Sequence, residues 1–400
     1  MKNSQRNYLV ELDLITSRYY TTIVQKPVFL VEQEVIVDGL VTVALLGVVV
    51  YSVLISLGVT SYIIYKPKRG ERKAGNFEIV IVSKADHRVK NSLLESLRYH
   101  TRRFGKVTLV IDEGAPLTGL LRGIRGVRLI IVPSNYRRDL IGKGRALQYF
   151  VDCCVERDKW YVFIDDDNLI LDDTFLYEIP VYEVEGRVAA NGVIIPRPGR
   201  STVAYVMDWI RFMDDILIYR FFTGLIGKPL LGLHGDLLIV KGSVLKEIGF
   251  NRRTLTEDFE FTSSLVRSGY KTWQSATRVS IRSPNSVKDL VLQRGRWFKG
   301  IFYGIKRAPI GMKILVILRS FTFSIGLFIL LLFIPFVYYV GYLWFIVPSG
   351  LYYVSTYSYG VYKSRKPILL LLLPFFGFIE ASSRIYGFIM VNGYVVIDKN

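Results

Sequence analysis

Long uncharged stretches alternate along the chain with segments whose apolar residues recur at strand or helix spacing. Gly39 to Tyr65 is an uninterrupted Val/Leu/Ile-rich run, longer than the roughly 20 residues that cross a hydrocarbon core of about 30 Å. Its length and distance from the first residue argue against a cleaved signal peptide. Lys66, Lys68, Arg69, Arg72 and Lys73 follow it directly, whereas residues 1–38 carry no basic excess. The positive-inside rule therefore predicts an external N-terminal segment and a cytoplasmic domain after the span. A second uncharged run, Ser320 to Tyr362, is too long for one crossing. A break at Pro348-Ser349-Gly350, or nearer Gly341, predicts two crossings that return to cytoplasmic Lys363, Arg365 and Lys366. The last apolar stretch, from Ile368, holds Glu380 and Arg384 at i and i+4, a spacing that lets them pair on one helix face. It reads as either an interfacial helix or a fourth crossing.

Between these stretches the period changes. Phe77–Ser83, Val107–Ile111, Val127–Val132 and Trp160–Ile164 read as buried strands, and Leu237–Val240 as another. Asn91–Arg103 reads as a helix with Leu93, Leu94, Leu97 and Tyr99 on its apolar face, and Lys143–Val155 as a second. Val203–Phe222 has helical spacing and reads as a core helix or a membrane-surface helix. A helix opens at Thr254–Phe261 with Thr256 as N-cap, and Ser286–Tyr303 is the last. Strand and helix alternate, which predicts an α/β, Rossmann-like, mostly parallel sheet covered by helices. The expected organisation is an external or interfacial segment over 1–38, a transmembrane helix over 39–65 and a basic linker over 66–75. A cytoplasmic domain with interfacial helices follows over 76–303, then two transmembrane helices over 304–362. A hydrophobic segment over 363–400, interfacial or transmembrane, completes the chain. Three transmembrane segments are thus expected, and four if the last one spans.

Composition supports a mixed soluble and membrane chain: 51% of the 400 residues are hydrophobic. The formal charge is +18, from 52 Lys+Arg against 34 Asp+Glu. With no nucleic-acid signature, and with basic residues beside apolar segments, this excess points to anionic lipid headgroups and a phosphorylated substrate rather than nucleic acid. The only two cysteines, Cys153 and Cys154, are adjacent and predict no disulfide.

The candidate chemistry sits at strand ends. Asp165-Asp166-Asp167 terminates the run Trp160–Ile164, and alternation sends Asp165 and Asp167 to one side. Two such carboxylates form either a hard-oxygen site for a divalent cation carrying a diphosphate or a solvated strand end. Asp86 and Asp112 lie at comparable strand ends, where ligands of such sheets bind. Glu257 and Asp258 occupy a first helical turn, which the helix dipole also favours on purely structural grounds. Gln293, Arg296 and Trp297 share one helix face, an amide, a guanidinium and an indole suited to a diphosphate and a sugar ring.

The ordered set Asp165-Asp166-Asp167, Thr256-Glu257-Asp258 and Gln293-x-x-Arg296-Trp297 resembles the cellulose-synthase-like branch of glycosyltransferase family 2, over roughly residues 77–303. Gly142-Lys143-Gly144-Arg145-Ala146-Leu147-Gln148-Tyr149 and His234-Gly235 further resemble egghead-type β-mannosyltransferases. The resemblance implies a GT-A fold and inverting transfer from a nucleotide-diphosphate sugar. It implies that Asp167 binds manganese or magnesium, that Asp165 holds metal or ribose, and that Asp166 has no assigned role. Asp258 corresponds to the general base, with Glu257 orienting. Gln293 and Arg296 correspond to diphosphate and acceptor-side contacts, and Trp297 to a ring platform near the acceptor. Asp112 corresponds to a nucleobase contact with Asp86 nearby, and Lys143 counts among the donor contacts. His234 either approaches the diphosphate or metal or is structural. The expected reaction is transfer of mannose from GDP-mannose to a lipid-linked acceptor, a polyprenyl (dolichyl) phosphate or diphosphate saccharide. Alternatives are a processive synthase using a UDP-sugar, a polyprenyl-phosphate sugar synthase and an inactive nucleotide-binding scaffold.

Overall fold

The computed structural model describes residues 28–321 and 343–390. Helix α1 (Val28–Ile64) leads through the basic linker into an eight-stranded sheet. The linker lies against the domain, with Lys68 paired to Glu185 at 2.5 Å and Lys73 to Asp173 at 2.8 Å. The strands are β1 (Phe77–Val82), β2 (Val107–Asp112), β3 (Val127–Val132), β4 (Trp160–Asp165), β5 (Leu169–Ile170), β6 (Arg187–Arg197), β7 (Leu238–Lys241) and β8 (Lys271–Arg282). Their spatial order is β3-β2-β1-β4-β7-β6-β8-β5.

The first half matches the sequence expectation. β3, β2, β1 and β4 run parallel, with Val82 in register with Asp165 and Asp112 with Val132. The apolar runs of β2, β1 and β4 are buried on both faces, as crossover helices require, while the edge strand β3 is only half-buried. Helices α2 (Lys90–Phe104) and α4 (Gly142–Cys154) supply that cover. The second half departs from the expected parallel sheet: β7 is antiparallel to both β4 and β6, and β5 is antiparallel to β8. The architecture is a mixed α/β fold of GT-A type. The reversal has a direct consequence. Because β7 runs against β4, the segment that enters β7, His234-Gly235-Asp236, meets the carboxyl end of β4, where Asp165 leaves the sheet.

β6 and β8, absent from the sequence reading, pair in parallel with register shifts at Arg187/Ala189 and Asn191/Val193. The predicted helix over 203–222 forms as α6 (Thr202–Asp214), capped by Ser201, and then widens into a π-helical stretch, Asp215–Leu225. Helix α8 (Glu257–Arg267) begins where expected, yet the Thr256 side chain makes no capping bond. Helix α9 (Val287–Gly304) is capped by the Ser286 hydroxyl, which accepts from the Asp289 amide at 3.0 Å.

After α9 come α10 (Ile310–Phe321), α11 (Leu343–Ser364) and α12 (Leu373–Met390). Among the described residues two helices are long and apolar enough to cross a membrane, Leu45–Ile64 and Pro367–Gly387. Three or four crossings were expected; the described residues show these two candidates. Much of the run read as two crossings, including Gly341, lies outside the described residues, as does the segment 1–27. Pro348-Ser349-Gly350 does not break the chain: α11 passes through it without interruption, and Ser349 docks on α1 through Ser52 at 2.7 Å. Glu380 also ties two helices together, since it receives Arg294 of α9 at 2.6 Å. Arg294 also meets Asp208 of α6 at 3.2 Å. α9 and α12 cross where Gly295 faces Gly387, so closely that a Cβ added to either would land on the other's Cα. Only glycine permits that approach.

Candidate active site

A single cleft of about 340 Å³ opens beyond the carboxyl ends of β1, β2 and β4. Its walls include Asp112, Lys143, Asp165, Asp166, Asp167, His234, Glu257, Asp258, Gln293, Arg296 and Trp297. All but one of the residues anticipated for the site therefore line it. Asp86 does not: it caps the short helix His87–Val89, accepting from the Arg88 amide at 2.9 Å and pairing with its guanidinium at 2.8 Å.

Each carboxylate has a distinct setting. Asp165 is paired with the Lys143 ammonium, which reaches across from the first turn of α4. Asp166 accepts from the Ser83 hydroxyl at 2.6 Å, tying the carboxyl ends of β1 and β4 together. Asp167 is 1% exposed and accepts from the Arg282 amide at 3.0 Å, while its carbonyl accepts from Arg197 at 2.7 Å. Asp112 receives Arg145 at 2.9 Å. Asp165 and Asp167 are hard oxygen donors, and the ammonium at Asp165 shows that this edge of the cleft accepts positive charge, so the donor chemistry suits a divalent ion. Among the described residues no group of three or more acidic, His or Cys side chains forms a metal site unaided.

His234 sits between two carboxylates, with Nε2 3.2 Å from Asp215 and Nδ1 3.4 Å from Asp236. Burial alone would lower its pKa, but the charges of Asp215 and Asp236 hold it up at about 10. The two carboxylates hold the imidazole between β7 and the π-helical stretch that follows α6. Asn191 fixes its backbone, accepting from the His234 amide at 3.0 Å and donating to its carbonyl at 2.9 Å.

Glu257 and Asp258 begin α8 on the opposite wall. Asp258 accepts from the Gly235 amide at 3.1 Å and from the Phe259 amide at 2.8 Å. Burial nevertheless raises its pKa, the Phe259 bond and Lys143 opposing, with Asp165 and Asp236 adding to the rise. Burial, with the Asp258 charge, pushes Glu257 up to about 7. Two carboxyls whose protonation is shifted toward neutral pH by burial are what proton transfer near pH 7 requires. Gln293 and Arg294 of α9 are buried, while Arg296 and Trp297 face the opening half-buried.

Sequence reasoning missed Asn191, Arg211, Asp215 and Asp236. Arg211 and Asp215 interrupt an apolar helical pattern, and that interruption was the available signal.

A GT-A-like sheet with this acidic cleft fits a glycosyltransferase. The sequence profile of "Glycosyl transferase family group 2" matches residues 160–361, and the chain belongs to that family. Among curated proteins it is similar to beta-1,4-mannosyltransferase bre-3 of Caenorhabditis briggsae, 26% identical over 200 residues, covering 46% of this chain and 43% of that protein. It is also similar to beta-1,4-mannosyltransferase egh of Drosophila melanogaster, 25% identical over 205 residues, covering 48% of this chain and 45% of that protein. The matches thus span less than half the length of these relatives. In fold it is similar to the mannosyltransferase PcManGT from Pyrobaculum calidifontis, solved with GDP-Man and Mn2+. The TM-score is 0.54 at 12% identity, covering 88% of this chain and 99% of that one.

Proposed function

We propose that the chain is a membrane-bound, inverting glycosyltransferase that moves mannose from GDP-mannose onto a lipid-linked acceptor. The observation that carries the reading is the shared cleft. Asp258 faces the carboxylate strand end across a cavity whose third wall is Gln293, Arg296 and Trp297. GDP-mannose is favoured by the resemblance to beta-1,4-mannosyltransferases and by the bound donor of the similar PcManGT structure.

Asp112 and Lys143 are assigned to the nucleotide side, and Arg296 and Gln293 to the diphosphate. Asp165 and Asp167 would hold a manganese or magnesium ion, which when bound neutralises charge on the diphosphate. Asp258 takes the proton of an acceptor hydroxyl as its oxygen forms a bond to the anomeric carbon. The bond from that carbon to the diphosphate oxygen breaks with its electron pair, and Arg296 stabilises the departing charge. Attack from the face opposite the leaving group inverts the anomeric centre. Burial, with the charges of Asp165 and Asp236, keeps the base's proton affinity high, and Glu257 lies beside it as the orienting carboxyl.

Membrane attachment rests on exposed apolar surface. Leu45–Ile64 and Pro367–Gly387 are only 44% and 28% buried within the protein. Leu46, Val53, Ile63, Ile64, Leu371 and Ile385 point outward, as lipid-facing residues do. The cationic stretch Lys66–Lys73, following the first of these, suits anionic headgroups and a cytoplasmic catalytic domain.

The test uses detergent-solubilised full-length protein, manganese, and a panel of GDP-mannose, UDP-glucose and UDP-N-acetylglucosamine. Acceptors are phytanyl phosphate, phytanyl diphosphate-linked chitobiose and octyl glucoside. Mannose transfer to the diphosphate saccharide, with product of inverted configuration, is expected. Asp258→Asn should retain donor binding and lose turnover by on the order of 10² or more. Undiminished transfer by that variant would mean that no base at Asp258 is needed, as for an acceptor phosphate already ionised.

A further inference from the structure

Arg211 belongs to none of the motifs, yet it touches both walls of the cleft. It projects from α6 with its side chain 14% exposed and forms an ion pair with Asp236. Its guanidinium lies over the Trp297 indole, 4.9 Å from the ring centroid. Asp236 is anchored in turn to the donor side, since its carbonyl accepts from Asn168 at 2.8 Å in the turn that follows Asp165–Asp167. A continuous chain of contacts therefore runs from that turn through Asp236 and Arg211 to Trp297.

We propose that Arg211 is the positioning residue of the acceptor platform: it clamps one face of the Trp297 indole, fixing the ring so that a sugar ring stacks on the other. This rests on the transferase reading above. A planar guanidinium can stack on an indole and meet a carboxylate at once, whereas an ammonium is a point charge that can serve the carboxylate alone. The pairing with Asp236 sets the guanidinium plane, and the plane sets the indole. Arg211 is nearly buried, and a desolvated cation–π contact is the strong form of that interaction.

The substitution that separates these roles is Arg211→Lys, which keeps the charge opposite Asp236 and removes the stacking plane. In the full chain, acrylamide quenching of Trp297 is obtained by difference against Trp297→Phe. It should increase in Arg211→Lys as the indole loosens. With phytanyl diphosphate-linked chitobiose the acceptor KM should rise roughly tenfold, the scale of one lost desolvated contact, while the GDP-mannose KM moves less than about twofold. Combined with Trp297→Phe the effects on acceptor KM should be non-additive, because one residue acts through the other. Unchanged quenching, or additive effects, would overturn the proposal. If Arg211→Lys yields no folded protein, Asp236→Asn, which releases the guanidinium without altering its charge, is read by the same quenching and the same cycle. Failure of the functional reading is distinguishable, because it shows as absent transfer by the unmodified chain, while the quenching measurement needs no acceptor.

Discussion

Replacing Glu257 by Gln asks whether the acidic pair is held against the stability of the fold. Burial, with the Asp258 charge, lifts the Glu257 carboxyl from its ordinary 4.5 to about 7. In the unfolded chain the same group ionises near its ordinary value. Between these two values the folded state retains a proton that the unfolded state has released. Folded-state stability therefore falls as pH rises through this window, and the loss is complete above about 7. At about 1.4 kcal/mol per pH unit the full loss is on the order of 3 kcal/mol. Gln does not ionise, so the variant should match the native chain near pH 4.5 and exceed it by up to that amount at pH 8. With an unfolding entropy of about 2.1 cal/mol/K per residue, the gain across 400 residues corresponds to about 4 °C in Tm. The assay is thermal unfolding in detergent at both pH values, followed by near-ultraviolet circular dichroism. The same variant should transfer sugar poorly, since activity and stability oppose each other at such sites. A difference between variant and native Tm that does not grow with pH refutes the argument that burial of this carboxyl is costly.

Other outcomes follow from the same geometry. The native chain's transfer rate should rise with pH between about 6 and 8, as the Glu257–Asp258 pair gives up its proton; a rate that falls across this range contradicts a base here. Chelation should abolish transfer and added manganese restore it; full activity in excess chelator would remove Asp165 and Asp167 from metal binding. Arg294→Met leaves Asp208 and Glu380 without their shared cation and should cost about 3–5 kcal/mol, read as lost Tm or failure to extract folded protein. Gly295→Ala forces α9 from α12 and should cost about 1–3 kcal/mol; an unshifted Tm would show that the two backbones do not meet as described.

The parallel strands and the helices between them were legible because a strand buried on both faces must be apolar along its length, as Ile79–Val82 and Trp160–Ile164 are. β6 escaped notice because Asn191, Gly192 and Pro196 break its pattern. β8 escaped because its polar side chains are satisfied inside the fold: Gln274 donates to the Gly192 carbonyl at 2.8 Å, and Thr272 to the Thr223 carbonyl at 3.1 Å. Strand direction has no local signature, so the reversal of β7 could not be read. The candidate site was more legible than the sheet, since Asp165, Asp167, Asp258 and Trp297 are typed by their own chemistry. Arg211 and Asp236 were not, because their meaning lies in a pairing that only the reversed strand creates.

The glycine-to-glycine crossing of α9 and α12 fixes an altitude. Arg296 and Trp297 stand immediately beyond Gly295 on a helix pressed backbone to backbone against α12, which exposes apolar side chains, with Arg294 locked to Glu380 alongside. On the membrane-bound reading proposed above, the reacting centre would thereby be set at a constant height relative to the bilayer. On the same reading, an acceptor whose sugar protrudes to that height would present its hydroxyl to Asp258, and one with a longer or shorter head would not. The joint would then act as a ruler, selecting acceptors by the length of their polar stem.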